Sequence, residues 1–330
     1  MGQKMSVNRK CKFRLFIITL IFLSTSIFLL QSSLLYHQKL RKKFAYAFYI
    51  TEPEYACYAG VNVDRLLDDL NIDFSRIDIL FLYTSTDWQF KKALQSCSRP
   101  EVKLVQVPDA PEGLTNRDLY AHSYVRFEAF GLIDYERIVI LDADGLVIRK
   151  LDHLFTMPLD GRSIAGALVD YSPHDWISSV LLVVEPSLDL YSRLRQCLTA
   201  DGIQKVSIFA NGSHYDMDVL NYVFRPGKDV KLLSSGYITL DSAFVDQNRE
   251  NMDDVYYVHF TARKPLIYVE TRRKNEKMNK NAKWIFEKFW KGFDKRCIAA
   301  FGSSMKMALE HVEMMEKESK LVDEFAKFKV

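Results

Sequence analysis

Apolar runs and amphipathic stretches alternate through most of the chain, and the alternation predicts strands and helices in turn. Phe44 to Ile50, Ile77 to Tyr83 and Val102 to Val107 read as strands, rich in the branched and aromatic residues that a sheet buries on both faces. Between them, Pro53 to Leu70 and Trp88 to Gln95 carry helical spacing, the first with Val61, Leu66, Leu67 and Leu70 inward. Pro108, Pro111 and Gly113 close the third strand, and a helix from Leu119 to Leu132 is predicted to deliver the chain into a fourth strand ending at Asp142. Past Asp144 the pattern loosens. Ile164 to Val169 and Val180 to Val184 read as core strands, Ser187 to Cys197 and His214 to Phe224 as helices. Short strands follow around Val230, Tyr237 and Val255 to His259. The basic stretch Thr271 to Lys283 reads as a solvated loop or helix start, and Ser303 to Lys329 as a charged amphipathic helix. Alternation of this kind predicts an α/β fold, a doubly wound, mostly parallel sheet.

The N-terminus follows a different rule. Lys4, Arg9, Lys10, Lys12 and Arg14 precede an apolar stretch from Leu15 to Leu30, which Gln31 to Tyr36 extends enough to span roughly 30 Å of hydrocarbon. A cleaved signal peptide is the competing reading, but no convincing small-residue cleavage site follows the run. The expected organisation is a cytosolic tail (1–14), a transmembrane signal-anchor (15–36), a short stem (37–44), a catalytic domain (45–292) and a C-terminal helical tail (293–330). Type II topology in a Golgi or endoplasmic reticulum membrane would put the catalytic domain in the lumen. Two features fit a lumenal globule. Asn211-Gly212-Ser213 is an N-glycosylation sequon. Cys57, Cys97, Cys197 and Cys297 are even in number beyond the span, though too widely spaced for a disulfide scaffold or a zinc site, which leaves buried thiols and one or two disulfides as the alternatives.

Composition changes this picture little. A net charge of +3, with basic residues scattered and no nucleic-acid module, argues against a nucleic-acid partner.

The chemistry concentrates at Ile138-Val139-Ile140-Leu141-Asp142-Ala143-Asp144. Open α/β sheets bind ligands outside the carboxyl ends of their strands, and two carboxylates one residue apart there can turn toward one point. Unpaired, they would repel and resist ionisation; a divalent cation resolves the conflict, and hard oxygen ligands suit Mg²⁺ or Mn²⁺. A second cluster, Val258-His259-Phe260-Thr261-Ala262-Arg263-Lys264-Pro265, offers an imidazole as a third ligand and a lysine that could reach a diphosphate as a point charge.

Taken in order, these blocks resemble glycosyltransferase family 8, the glycogenin-like enzymes. Tyr49-Ile50-Thr51 with Tyr55-Ala56 is similar to the family's first strand and base-stacking tyrosine. Arg126-Phe127 with Phe130 stands where the family has Lys-Leu-x-x-Trp, and Arg137 to Asp144 with Leu151 to Phe155 matches the metal motif and its sequel. Asp175 to Pro186 resembles the Phe-Asn-Ser-Gly-Val block, and His259 to Pro265 the His-Phe-x-Gly-x-Lys-Pro-Trp block. There are departures: Ser178-Ser179-Val180 replaces Asn-Ser-Gly, Met217 replaces a glutamine beside Asp216, and Leu266 replaces the final tryptophan. Tyr215 to Asn221 looks more like the fungal Golgi N-acetylglucosaminyltransferases of this family than like glycogenin, whose self-glucosylated tyrosine has no counterpart here.

The resemblance implies a GT-A fold, a doubly wound mixed sheet with helices on both faces, and transfer, with retention of configuration, of N-acetylglucosamine or glucose from a UDP-sugar to a glycan, glycolipid or protein acceptor. It implies that Asp142, Asp144 and His259 hold Mn²⁺, with Mg²⁺ possible. The donor would meet Thr51, Tyr55, Arg126, Asp142, Ala143, Asp144 and Lys264. Asp216, Arg126 and Lys264 would be catalytic, Asp216 as nucleophile or as charge stabiliser. Two other readings use the same residues. Asp-x-Asp-Gly after a hydrophobic strand also opens the haloacid-dehalogenase phosphatases, although Leu146 stands in place of their threonine. A membrane-tethered sugar-binding protein without turnover would keep the same fold.

Overall fold

The structure, a computed structural model, describes residues 23–27, 44–84, 87–109, 122–169, 175–212, 215–245, 247, 249–261 and 280–301. Residues 23–27 are helical, and the rest of the predicted span 15–36 lies outside the described residues. Among the described residues no helix is long and apolar enough to cross a membrane.

A seven-stranded mixed sheet organises residues 43 onward, in the order β3-β2-β1-β4-β7-β6-β8. Its strands are β1 (Phe44–Ile50), β2 (Ile77–Tyr83), β3 (Val102–Gln106), β4 (Arg137–Leu141), β6 (Ile164–Leu168), β7 (Ile177–Val184) and β8 (Lys231–Leu233). β1 pairs in parallel with both β2 and β4, while β7 runs antiparallel between β4 and β6. Strand alternation sorts the core. Phe44, Tyr46, Phe48 and Ile50 belong to one buried cluster and Ala45, Ala47 and Tyr49 to the other, on opposite faces of the sheet. A second sheet, β5-β10-β9, joins β5 (Gly145–Val147), β10 (Tyr257–His259) and β9 (Thr239–Leu240).

The helices are α1 (Pro53–Asp64), α2 (Trp88–Cys97), α3 (Leu188–Cys197), α4 (Ala200–Phe209), α5 (Asp216–Val223), α6 (Asp241–Val245) and α7 (Lys280–Phe301). Four expectations need correction. The helix expected over Pro53–Leu70 changes to a π-turn at Arg65–Asp69. The helix expected over Leu119–Leu132 is a 3₁₀ segment, Ser123–Gly131, in which Ser123 to Phe130 are all buried. Tyr237 lies in a 3₁₀ turn before β9 rather than in a strand. Finally, the domain boundary expected at 292/293 falls inside α7, which runs unbroken through it.

α7 stays on the body because its inner face is apolar at helical spacing: Ala282, Ile285, Phe286, Phe289, Phe293 and Cys297 are all buried. Phe289 stacks on Tyr58 of α1 with ring centroids 5.6 Å apart. At Gly292 the helices are so close that a Cβ would come within 2.9 Å of Val61. A disulfide, Cys57–Cys297, ties the two helices, while Cys97 and Cys197 are buried free thiols. The amphipathic helix expected at Ser303–Lys329 lies outside the described residues.

Candidate active site

β1 and β4 are neighbours in the sheet, and the chain runs on from β1 to β2 on one side and from β4 to β6 and β7 on the other, which opens a crevice between their carboxyl ends. Thr51 follows β1 at that crevice, and Asp142 to Asp144 follow β4. β5 continues directly from Asp144, and its antiparallel register with β10 sets His259 opposite Gly145. The Phe260 amide donates to the Asp144 carbonyl at 3.1 Å. This pairing brings His259 Nε2 to 3.3 Å from Asp144 Oδ1 and 3.6 Å from Asp142 Oδ2.

One ligand atom from each of these three residues lies within 4.8 Å of the others. Two hard carboxylates and an imidazole converging from two sheets fit a divalent cation of the Mn²⁺ or Mg²⁺ type. The electrostatics agree. Burial pushes the Asp142 carboxyl up to about 6; Arg126 and His259 oppose that rise, and Asp144 and Asp216 add to it. A cation would relieve this crowding of acids.

Residues outside the sequence motifs hold the acidic turn. Asn62, fully buried in α1, donates to the carbonyls of Ala143 (3.2 Å) and Gly145 (2.8 Å), and its Oδ1 accepts from the Val147 amide (2.9 Å). The Tyr257 hydroxyl donates to the Asp142 carbonyl at 2.6 Å. Arg65 donates to the carbonyls of Val147 and Ile148. Gly145 cannot carry a side chain here, since a Cβ would fall 2.0 Å from the Tyr257 hydroxyl. Asn62→Ala strands two carbonyls and an amide in the interior, so a loss of about 2–4 kcal/mol is expected from urea unfolding. A loss below about 0.5 kcal/mol would show that water replaces the amide without cost.

Arg126 comes from the 3₁₀ segment and lies between two acids. Its Nη1 is 2.9 Å from Asp142 Oδ1 and its Nε 3.0 Å from Asp216 Oδ2. It also donates to the Ser179 carbonyl and the Tyr49 hydroxyl, and the guanidinium lies 4.5 Å from the Tyr49 ring centroid. Asp216 opens α5 and is buried. The other polar members of that motif do structural work. Asp218 Oδ2 accepts from the Tyr215 amide at 2.7 Å, capping the helix. Asn221 exchanges hydrogen bonds with the backbone of Ile177 and so fixes the start of β7.

The remaining expected site residues are placed as follows. Thr51 is half-buried, and Ala143 is buried with its carbonyl turned to Asn62. Tyr55 packs edge-on against Tyr58, and burial, with the Asp144 charge adding, raises its hydroxyl. Neighbouring Glu54 is pushed up to about 8 by burial and by its hydrogen bond with Glu52. A cavity of about 380 Å³ opens beside His259, with Ser178, Val180, Thr239, Leu240 and Thr261 in its wall. Asn211 lies in an exposed turn after α4 at φ 54°. Lys264 lies outside the described residues. Asn62 and Tyr257 were not anticipated, and Tyr49 was read as part of the first-strand block but not as a partner of Arg126. The one available sign was a lone asparagine within the apolar face of a helix, which needs buried partners wherever it occurs.

No family model matches the chain. It is 25% identical over 264 residues to Glucose N-acetyltransferase 1 of Gibberella zeae, across 71% of this chain and 56% of that protein. It is 28% identical over 191 residues to the Aspergillus fumigatus protein of the same name, across 54% and 49%. The chain thus spans about half the length of these curated relatives. Among solved structures it superposes on the galactosyltransferase LgtC, bound to donor and acceptor sugar analogues, with a TM-score of 0.55. That match has 15% identity and covers 74% of this chain and 95% of that one. Motif order, fungal relatives and fold agree: the chain resembles the glycogenin-like glycosyltransferases of family 8, in their fungal branch, and has an α/β GT-A-like fold.

Proposed function

We propose that the chain is a retaining glycosyltransferase that moves N-acetylglucosamine or glucose from a UDP-sugar to a glycan, glycolipid or protein acceptor. The observation that carries this reading is the convergence of Asp142, Asp144 and His259 at the switch point of the sheet. These three residues would hold Mn²⁺, with Mg²⁺ as the alternative, and its charge would offset that of the departing diphosphate. Thr51 and Tyr55 would meet the nucleoside. Asp216 is our candidate for the carboxylate facing the anomeric carbon, as nucleophile or as charge stabiliser, and Lys264 would approach the diphosphate. Arg126 donates its hydrogen bonds to the Ser123 and Ser179 carbonyls and the Tyr49 hydroxyl, and its charge lies within 3.0 Å of both Asp142 and Asp216, so we read it as holding the acids in place rather than as a free cation for the leaving group.

The test is metal-dependent release of UDP from UDP-N-acetylglucosamine and UDP-glucose, with and without a mixed glycan acceptor. The expected result is UDP release that requires Mn²⁺ and stops with chelator. The name of the fungal relatives, taken literally, denotes acetyl transfer. Turnover of acetyl-coenzyme A without UDP release would favour that chemistry and overturn ours, and release of phosphate from phosphate esters would favour the phosphatase reading. UDP binding without any turnover would leave a sugar-binding protein.

We place this activity in the secretory pathway, with residues 15–36 as a signal-anchor and the catalytic domain lumenal. The Cys57–Cys297 disulfide supports an oxidising compartment, and exposed Asn211 supports a glycan at the sequon. The full chain should resist carbonate extraction and lose mass on endoglycosidase treatment. A protease-accessible catalytic domain in sealed microsomes, with Asn211 bare, would reverse this topology.

A further inference from the structure

Three cysteines that are far apart in sequence meet where α1, α2 and α7 pack together. Cys57 of α1 is bonded to Cys297 of α7, their Cα atoms 5.4 Å apart. Cys97, at the end of α2, places its Sγ 3.4 Å from the Cys57 Sγ, in van der Waals contact, and all three are buried. A packed core has no need to set a free thiol against a disulfide sulfur, where attack leads to exchange.

We propose that Cys57, Cys97 and Cys297 form an internal thiol–disulfide exchange site in which Cys57 has two alternative partners. Cys97 gives up its proton to solvent and its thiolate attacks Cys57 Sγ. The Cys57–Cys297 bond breaks, its electron pair leaves on Cys297 Sγ, and that sulfur takes up a proton. One disulfide and one thiol exist before and after, so no oxidant or reductant is consumed. The two pairings anchor different helices: Cys57–Cys297 holds α7 to α1, and Cys57–Cys97 holds α2 to α1 and leaves α7 without a covalent tie.

Chain statistics and packing favour opposite partners. In the unfolded chain Cys57 and Cys97 are 40 residues apart, against 240 for Cys57 and Cys297. The shorter loop therefore closes roughly fifteenfold more readily. Cys57–Cys97 is then the expected early pairing, and docking of α7 delivers Cys297 as its replacement. Once α7 is packed, burial pushes the Cys97 thiol up to about 12, so its thiolate is scarce and the later pairing is locked. Exchange resumes only when α7 opens. That helix carries Phe286 and Phe289 against Phe260, the neighbour of His259, so the pairing reaches the metal-ligand end of the site.

The exchange does not depend on the transferase reading and is tested without an activity assay. Full-length wild type, Cys97→Ser and Cys297→Ser are purified without reductant and incubated at mildly alkaline pH in sub-denaturing urea. They are then alkylated at intervals and mapped by mass spectrometry of non-reduced digests. The wild type should gain the peptide joining Cys57 to Cys97 while it loses the one joining Cys57 to Cys297. Protease cutting within 280–301 should rise roughly tenfold in step with that gain. Cys97→Ser should keep its single pairing, and Cys297→Ser should isolate the Cys57–Cys97 bond. Absence of that bond from the wild type overturns the proposal whatever Cys297→Ser shows, including a failure of that variant to fold.

Discussion

Asp144→Asn and His259→Ala are each expected to weaken Mn²⁺-dependent UDP binding and to lower sugar transfer by about a hundredfold or more. Each variant removes one of three ligand atoms that lie within 4.8 Å of each other, and Asp144→Asn also removes a negative charge. The site left behind holds less charge and one fewer donor, so affinity for a hard cation falls. The informative quantity is coupling: UDP affinity measured with and without Mn²⁺ in wild type and both variants. In the wild type the metal should tighten UDP, and in the variants that gain should shrink together with transfer. The phosphatase reading separates cleanly, because there Asp142→Asn destroys the nucleophile while His259→Ala spares phosphoryl chemistry. Undiminished metal coupling in both Asp144→Asn and His259→Ala would remove the proposed centre.

Arg126→Met should be the most destabilising of the single substitutions considered, at about 3–5 kcal/mol. It leaves Asp142 and Asp216 buried and facing each other without the guanidinium that separates them. The sign of its pH dependence follows from Asp142. In the folded wild type burial already raises this carboxyl to about 6, above its ordinary 3.8. The folded state therefore binds the extra proton between those values, and stability falls as pH rises through that window. Removing a cation that opposes the rise pushes the carboxyl higher still and extends the window upward. The deficit of Arg126→Met relative to wild type should thus be smaller at pH 5 than at pH 8. Urea unfolding at the two values decides it, and an equal deficit at both would mean that Asp142 does not feel Arg126.

What the sequence disclosed depended on how local the signal was. Ile138 to Leu141 lies in a buried strand, parallel to β1 and antiparallel to β7, with carboxylates at its end, and strand, turn and metal candidates all follow from adjacent residues. The share of His259 was legible only as a motif, because its position depends on a three-residue pairing of β10 with β5 across more than a hundred residues. The segment Ser123–Gly131 misled for a physical reason: nearly every side chain is buried, Arg126 and Glu128 included, so no polar face marks a period. α7 has a clear apolar stripe, but lysines on its exposed face give the stretch the look of a solvated basic tail. Asn62 and Tyr257 hold backbone rather than side chains, and such contacts leave no pattern that spacing can reveal.

The bond between Cys57 and Cys297 has a consequence beyond the two helices it joins. It makes a covalent ring of the chain, and β2 through β10 all lie inside that ring. A protease cut at any exposed loop between them leaves one molecule rather than two fragments until the bond is reduced. Closing a loop of this length removes conformations from the unfolded ensemble worth about 5 kcal/mol in the chain-entropy description. That is a large share of the roughly 5–15 kcal/mol by which native domains hold together. The redox poise around this protein therefore bears on the stability of the whole sheet, and a reducing surrounding would leave the acidic turn, its imidazole partner and the crevice between them on a much weaker foundation.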